Sequence, residues 1–447
     1  MKKRIRTKDV ERFSAAFGSE PRNRLALNAV AQNGIFATAL NRSLVNGLDH
    51  TFSHSLRMPE MTNQKASGRC WLFAGLNVLR MAARAKMNLE TFELSQSYLM
   101  FWDKLEKANF FLESIIETRD EPLDGRLVMW LLANPVNDGG QWDMFVSLVW
   151  KYGVVPKTVM PETHASSASR YMNGLLTAKL REFARDLRQA HKGGAGEDDL
   201  RDLKRGQLVQ FYRMLCIHLG EPPSAFEWSW RDKDDVFHRQ GRMTPMDFYE
   251  QLVGIDLEEY VCLINAPTAD KPYETLFTVQ YLGNVVGGRP VRYLNCKTKV
   301  LKQIAAQTIA DGEAVWFGCD VGKMFDRDLG ILNLDVHDYG LVYGSEFRLN
   351  KGERLNYGQS CMTHAMVLAG VDLDDDGHPI KWRVENSWGK DSGHEGYLVM
   401  DDAWFGEYLY EIAVKKSYLS EELLAVLDTD PVELKPWDPM GSLARAN

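Results

Sequence analysis

The sequence predicts an α+β fold with a helical half and a strand-rich half, on three observations. Residues 70–87 are apolar on nearly all sides (Trp71, Leu72, Phe73, Leu76, Val78, Leu79, Met81), as in a helix buried at the centre of a domain. Residues 160–260 are charged and helix-rich, interrupted by a loop at 192–197 that carries three glycines within five residues. Beyond about residue 260 the pattern changes to short strands, with 314–319 as one of them.

Taken in order, residues 1–60 read as a polar helical lead-in followed by irregular structure, packing on the core. The apolar helix over 70–87 comes next, then Leu94-Ser95-Gln96-Ser97-Tyr98 and a helix over 101–116. Asn137-Asp138-Gly139-Gly140-Gln141-Trp142 is a loop signal, and 143–152 a further helix ended by Gly153 and Pro156. His364 opens the apolar run 364–371, which fits a buried strand. In 380–386 the residues alternate, so that Ile380, Trp382, Val384 and Asn386 share one face and Lys381, Arg383 and Glu385 the other. An antiparallel register symmetric about Asp375 sets His364 directly opposite Asn386, with Cβ atoms about 5 Å apart. The intervening Asp372-x-Asp374-x-Asp376-Gly377 begins like a calcium loop, but Arg383 stands where the bidentate glutamate belongs. It reads as an acidic hairpin turn, and no metal is expected. The tail, 436–447, has little periodicity.

The chain has 447 residues, 45% of them apolar, enough for about three units at roughly 150 residues each. It contains no stretch of about 18 apolar residues, so no membrane span is expected. The basic start Met1-Lys2-Lys3-Arg4-Ile5-Arg6 is not followed by an apolar segment of the secretory kind. A net charge of −8 argues against nucleic acid as a partner. The six cysteines are scattered and lack C-x-x-C pairs, which predicts reduced thiols and a cytoplasmic protein.

Cys70 differs from the other five by its position. Ser67-Gly68-Arg69-Cys70-Trp71, with Gln64 six residues before the cysteine, places a thiol at the first turn of a helix. Unpaired backbone N–H groups and the helix dipole favour a thiolate there. These segments resemble the papain-type cysteine peptidases: Gly68-Arg69-Cys70-Trp71 matches the core of the nucleophile segment, His364 the family histidine, and Asn386-Ser387-Trp388-Gly389 the family's N-S-W-G segment. Gln64 stands where the family has its oxyanion-hole glutamine. Asn137-Asp138-Gly139-Gly140 resembles the glycine pair along which substrate backbone lies. Two departures narrow the match. Ser67 replaces a cysteine that is normally in a disulfide, and His364 follows Cys70 by 294 positions against about 130–150 in papain. With the stretches 96–107, 316–323 and 436–440, these features make the chain similar to the bleomycin hydrolase/aminopeptidase C family over nearly its whole length.

The resemblance implies a papain-like core of a helical subdomain carrying Cys70 (61–160) and a β-rich subdomain carrying His364 and Asn386 (291–435). A mainly helical insertion (161–290) would separate them. It also implies a homohexamer and a C-terminal arm (436–447) in the active-site cleft, its terminal carboxylate at Asn447 receiving the α-amino group of a peptide substrate. Cys70, His364 and Asn386 would form the catalytic triad. Gln64 and the Cys70 N–H would bind the oxyanion, Trp388 would shield the His–Asn contact, and Gly139 and Gly140 would bind substrate. The activity implied is that of an aminopeptidase working through an acyl-enzyme without cofactor, with bleomycin as a further substrate. An endopeptidase, if the arm does not reach the cleft, and an acyltransferase using the same triad are the alternatives.

Overall fold

The computed structural model describes residues 3–445. The helix that begins with Cys70 spans Cys70–Lys86, and its residues from Cys70 to Arg80 are all buried. It is rich in Leu and Ala and free of proline, so nothing interrupts it. It ends where Asn88 takes a left-handed conformation (φ 52°), which asparagine tolerates better than most residues. Trp71, Leu72, Phe73, Leu76 and Leu79 are at most 1% exposed, and burial of each side chain contributes about 1.5–3 kcal/mol. Gly75 is dictated by packing, since a Cβ there would lie 2.9 Å from the Phe145 ring. That ring belongs to helix Trp142–Tyr152, which stops at Gly153 (φ 67°). Helix Gln96–Glu117 begins five residues before the sequence reading placed it, because Ser95 caps it: its Oγ accepts from the Tyr98 N–H at 3.1 Å.

Helices Arg170–Lys192 and Glu197–Leu219 follow, joined by the short glycine loop. The segment then changes character, with a separate hairpin (Phe226–Arg231 with Phe237–Met243) and two strands, Tyr260–Ile264 and Thr275–Val279, that belong to the main sheet. That sheet has twelve strands among the described residues. Its centre runs Tyr260–Ile264, Leu409–Lys415, Val315–Cys319, His364–Leu373, Pro379–Glu385 and Tyr397–Asp401, all antiparallel neighbours. Alternation along these strands feeds two cores. Trp316, Ala365, Val367 and Ala413 pack with the Cys70–Lys86 helix, whereas Val315, Phe317, Met366, Leu368 and Ile412 pack with helix Thr298–Ala310. The arrangement is the α+β fold that the sequence predicts.

The His364 hairpin departs from the symmetric register. The observed partners are Val367 with Glu385 and Leu368 with Val384, which centres the turn on Asp376 instead of Asp375. A register shift between Asp372 and Leu373 and another between Leu368 and Gly370 separate the turn from the site. Asn386, one residue past its strand, therefore reaches His364 along a diagonal and not from the directly opposed position. The turn itself is closed by Asp374, whose Oδ1 accepts from the N–H groups of Asp376 and His378 (3.0 and 2.8 Å). No cluster of three or more metal-ligating side chains occurs among the described residues, and none of their helices is long and apolar enough to cross a membrane.

Residues 1–60 meet the rest of the structure through their second half, where His54–Ser55 pairs with strand His364–Leu373 and Leu56 and Met58 pack against the core, whereas the first two helices bury little. Helix Thr7–Ser19 has no buried residue, and Ala39 is the only buried residue of Pro21–Ala39. Backbone bonds from Asn41 N–H to Val336 and from Asp338 N–H to Ala39 tie its end to the β-rich half. Val10, Phe13, Leu25 and Phe36 stay exposed.

Candidate active site

Cys70 is the first residue of its helix and is 2% exposed. Its Sγ lies 4.0 Å from the Gly68 carbonyl oxygen, and the backbone N–H of Ala365, the residue after His364, is near enough to favour its thiolate. The sulfur therefore lies beside the strand that carries the histidine. His364 Nε2 lies 2.9 Å from Asn386 Oδ1. An amide oxygen can only accept, so Nε2 carries the proton and Nδ1 keeps its lone pair. The Trp388 ring stands 5.0 Å from the imidazole, with Phe325 and the Arg327 guanidinium on it (6.1 and 4.5 Å). His364 and Asn386 are both buried beneath it.

Burial decides the protonation of this pair. It pushes the Cys70 thiol up to about 11, against the N–H groups of Ala365, Trp71 and Cys70 itself, which favour the thiolate. It pushes the His364 imidazole down to about 4, against the Asn386 hydrogen bond, and the nearby Arg327 charge acts in the same direction as burial. Burial thus favours the neutral form of the thiol and of the imidazole, although the helix start alone favours a thiolate. We predict an acid limb of kcat/KM near pH 4 and none near 6.5. His364 takes up its extra proton only as pH falls through its lowered pKa, and that proton occupies the lone pair needed for general-base action. A pH–rate series at constant ionic strength checks this, and an acid limb at pH 6.5 would contradict the shielded imidazole.

The loop before Cys70 is held by ionic contacts. Ser67 Oγ donates to the Gln64 carbonyl (2.7 Å) and accepts from Arg69 Nε (3.0 Å). Arg69 in turn grips Glu162 through both terminal nitrogens at 3.0 and 2.8 Å. Gln64 is buried, and its Nε2 donates to the Ser67 carbonyl at 2.6 Å, with one N–H left over. The Gln64 backbone N–H bonds the Ser387 carbonyl at 2.8 Å, which fixes the glutamine beside the Asn386 segment.

Asp138 organises the other wall, and sequence reading missed its role. It accepts from the Gly68 N–H (2.9 Å), Lys104 Nζ (2.7 Å), Asn173 Nδ2 (2.8 Å) and Ser169 Oγ, and its carbonyl accepts from Trp71 Nε1 at 2.6 Å. Burial works to raise its carboxyl, but the Lys104 charge and these hydrogen bonds outweigh it and hold the carboxyl well below the usual range. Gly139 gives its carbonyl to Lys107 Nζ at 2.5 Å. Gly140 has no room for a side chain, since a Cβ would come within 2.4 Å of the Trp71 indole. The signal for this hub is the pair of lysines inside the buried face of helix Gln96–Glu117, where charges require partners.

A second unforeseen link joins the helix that begins with Cys70 to the Asn386 segment. Arg80 and Asn77, buried on that helix, both bind Glu385 Oε1, at 2.6 and 2.9 Å. Glu385 immediately precedes Asn386, so the helix that begins with Cys70 is anchored to the backbone that holds Asn386.

The tail also reaches this region. The Met440 carbonyl accepts from Tyr293 Oη (3.2 Å) and Gln141 Nε2 (3.4 Å), and Ser442 Oγ donates to the Met362 carbonyl at 2.8 Å, two residues before His364. Arg445 lies over the Trp130 ring at 3.3 Å and donates to its carbonyl at 3.4 Å. Met440 and Leu443 are fully buried. Residues 436–445 thus run from the β-rich half, past Gln141, to the helical half. Asn447 lies outside the described residues.

A model of the peptidase C1-like family matches residues 4–441. The chain is 48% identical over 435 residues to a protein named bleomycin hydrolase from Rattus norvegicus, covering 95% of this chain and 96% of that one. It is 46% identical over 444 residues to a protein named aminopeptidase C from Listeria monocytogenes, covering 99% and 100%. The crystal structure of PepW from Lactobacillus rhamnosis superimposes with a TM-score of 0.97 at 47% identity, over 99% of both chains.

Proposed function

The chain belongs to the peptidase C1-like family as a cysteine-type aminopeptidase of the bleomycin hydrolase kind, and from that premise we propose that it releases N-terminal residues from peptides through Cys70, His364 and Asn386. The observation that carries this reading is the His364–Asn386 contact on the strand whose next residue has its N–H near the Cys70 sulfur. As Sγ attacks the scissile carbonyl, its proton passes to the free Nδ1 of His364. The imidazolium then protonates the leaving amine, and water hydrolyses the acyl-enzyme with the same histidine as base. Asn386 orients the imidazole and Trp388 keeps water from that contact. The remaining N–H of Gln64 and the backbone N–H of Cys70 form the oxyanion hole, where one donor is typically worth about 3–4 kcal/mol, or 10²–10³ in rate. No step calls for a metal or organic cofactor.

The clamped tail supports exopeptidase action, because its contacts with Gln141 and with Met362, two residues before His364, hold it next to the segments of the proposed site, where it would limit how far a bound peptide extends. In this reading Gly139 and Gly140 border the substrate path, and Asn447 carries the carboxylate that meets the α-amino group. The exposed apolar residues of the lead-in support assembly into a homohexamer. Bleomycin is a further substrate in the same reading, and the cytoplasm, where six free thiols are stable, is the location. The test compares a fluorogenic aminoacyl amide with its N-acetylated twin, with and without a thiol alkylator. Cleavage of the free-amine form alone, lost on alkylation, is the expected result. Cleavage of the acetylated form would instead show an endopeptidase with an open cleft.

A further inference from the structure

A cavity of about 640 Å³ is lined on one side by the loop that leads into Cys70. Gly68, whose carbonyl oxygen is 4.0 Å from Cys70 Sγ, lies on its near wall with Lys65, Ala66 and Ser67. The far wall is the start of helix Arg170–Lys192, through Arg170, Asn173, Thr177 and Arg181. Gly68 is the lining residue nearest Cys70 Sγ and has no side chain to obstruct the cavity on that side, so the opening is within reach of a side chain on an acyl group held at Sγ.

The charges around the cavity are one-sided. Its only acid, Asp138, is buried and neutralised by Lys104, with the Gly68 N–H, Ser169 and Asn173 on its oxygens. Lys65 and Arg170 are exposed, and neither they nor Arg181 form an ion pair among the described residues. Arg181 is fixed at the rim by donating to the Leu132 and Ala133 carbonyls at 2.9 and 3.1 Å. Lys65 is held in the left-handed region (φ 53°), and its N–H bonds Asn63 Oδ1 at 2.9 Å. That conformation favours glycine, so the backbone is not what calls for a lysine here.

We propose that this cavity receives the side chain of the substrate's N-terminal residue, and that Lys65, Arg170 and Arg181 make the enzyme favour anionic and neutral N-terminal residues over cationic ones. The proposal rests on the aminopeptidase reading above. Cations at the rim of a low-dielectric cleft raise the local concentration of anionic groups and oppose cationic ones, and added salt screens the effect.

The experiment measures kcat/KM of the full-length enzyme for glutamyl, alanyl and lysyl fluorogenic amides, at low and high salt. The expected glutamyl-to-lysyl ratio is about fivefold or more at low salt, falling as salt is added. In a K65E/R170E variant the ratio drops below one. It is read within each enzyme, so any loss of folded protein cancels. Equal or faster turnover of the lysyl amide by the wild type, or a ratio unmoved in the variant, overturns the assignment while alanyl turnover upholds the aminopeptidase. Loss of alanyl cleavage as well would overturn the aminopeptidase reading and this proposal with it.

Discussion

Replacing Cys70 with alanine should lower turnover by about 10⁴–10⁶-fold, to the background of the assay, while leaving the fold intact. The size of the effect follows from the chemistry. Without Sγ there is no acyl-enzyme, and His364 has only a water to activate, in a cleft shaped for attack from the helix start. The structural effect is small because the side chain is short and its polar contact is a 4.0 Å approach to the Gly68 carbonyl. Unfolding curves of variant and wild type should therefore nearly coincide. The control is alkylation. Cys216 and Cys361 are only partly buried and Cys70 is buried, so mass spectrometry should show that loss of activity follows iodoacetamide on Cys70 and not on these more accessible thiols. A Cys70→Ala enzyme that still turns over substrate would remove the sulfur from the mechanism.

Arg80→Met should destabilise the protein by about 3–5 kcal/mol, although Arg80 touches no substrate. Its guanidinium is 2.6 Å from Glu385 Oε1 and 2.8 Å from the Glu60 carbonyl, and both side chains of the ion pair are at most 2% exposed. Methionine fills much of the same volume but leaves the Glu385 carboxylate buried with Asn77 as its remaining partner. Burial already raises the Glu385 carboxyl, with Arg80 the main influence against it. Once Arg80 is removed, the group must bind a proton or admit water. Denaturant unfolding measures the loss. Arg80→Met with Glu385→Leu should cost clearly less than the two single changes added together, because no uncompensated charge remains. A single-variant loss under about 1 kcal/mol would show that the pair is dispensable. The surviving folded enzyme should also lose kcat more than KM, because Glu385 fixes the backbone of Asn386.

These two cases show what is legible in a sequence. Cys70, His364 and Asn386 stand out because each has a local signature: a thiol at a helix start, a histidine opening an apolar run, and an asparagine in phase with apolar neighbours. The helix over 70–87 and the strand over 314–319 were equally readable, since burial on one or all sides leaves a period in the composition. The register of the His364 hairpin was not. A shift by one residue inside the acidic turn changes every cross-strand pair, and nothing in Asp374-Asp375-Asp376 reveals where the chain reverses. Glu385 and Arg80 were unreadable for a different reason. They lie 305 positions apart, and each resembles an ordinary surface charge until the fold buries both. The same holds for Asp138, whose partners come from three distant helices. The exposure of the first two helices also escaped, because exposed and buried helices of this kind share one composition.

Ser67 carries a consequence for the conditions under which this enzyme can work. The loop that presents Cys70 is fastened by a hydroxyl and a guanidinium–carboxylate clamp, none of which stores oxidising equivalents. Strong reductants can therefore keep the nucleophile in its thiol form without loosening its support, so maintenance of the sulfur and rigidity of its scaffold are chemically independent. The scaffold answers to ionisation instead: burial raises the Glu162 carboxyl, but Arg69 beside it brings the group below its ordinary range. The clamp persists until acid deep enough to protonate a carboxyl so stabilised, well beyond the mild acidity that would protonate an unperturbed glutamate.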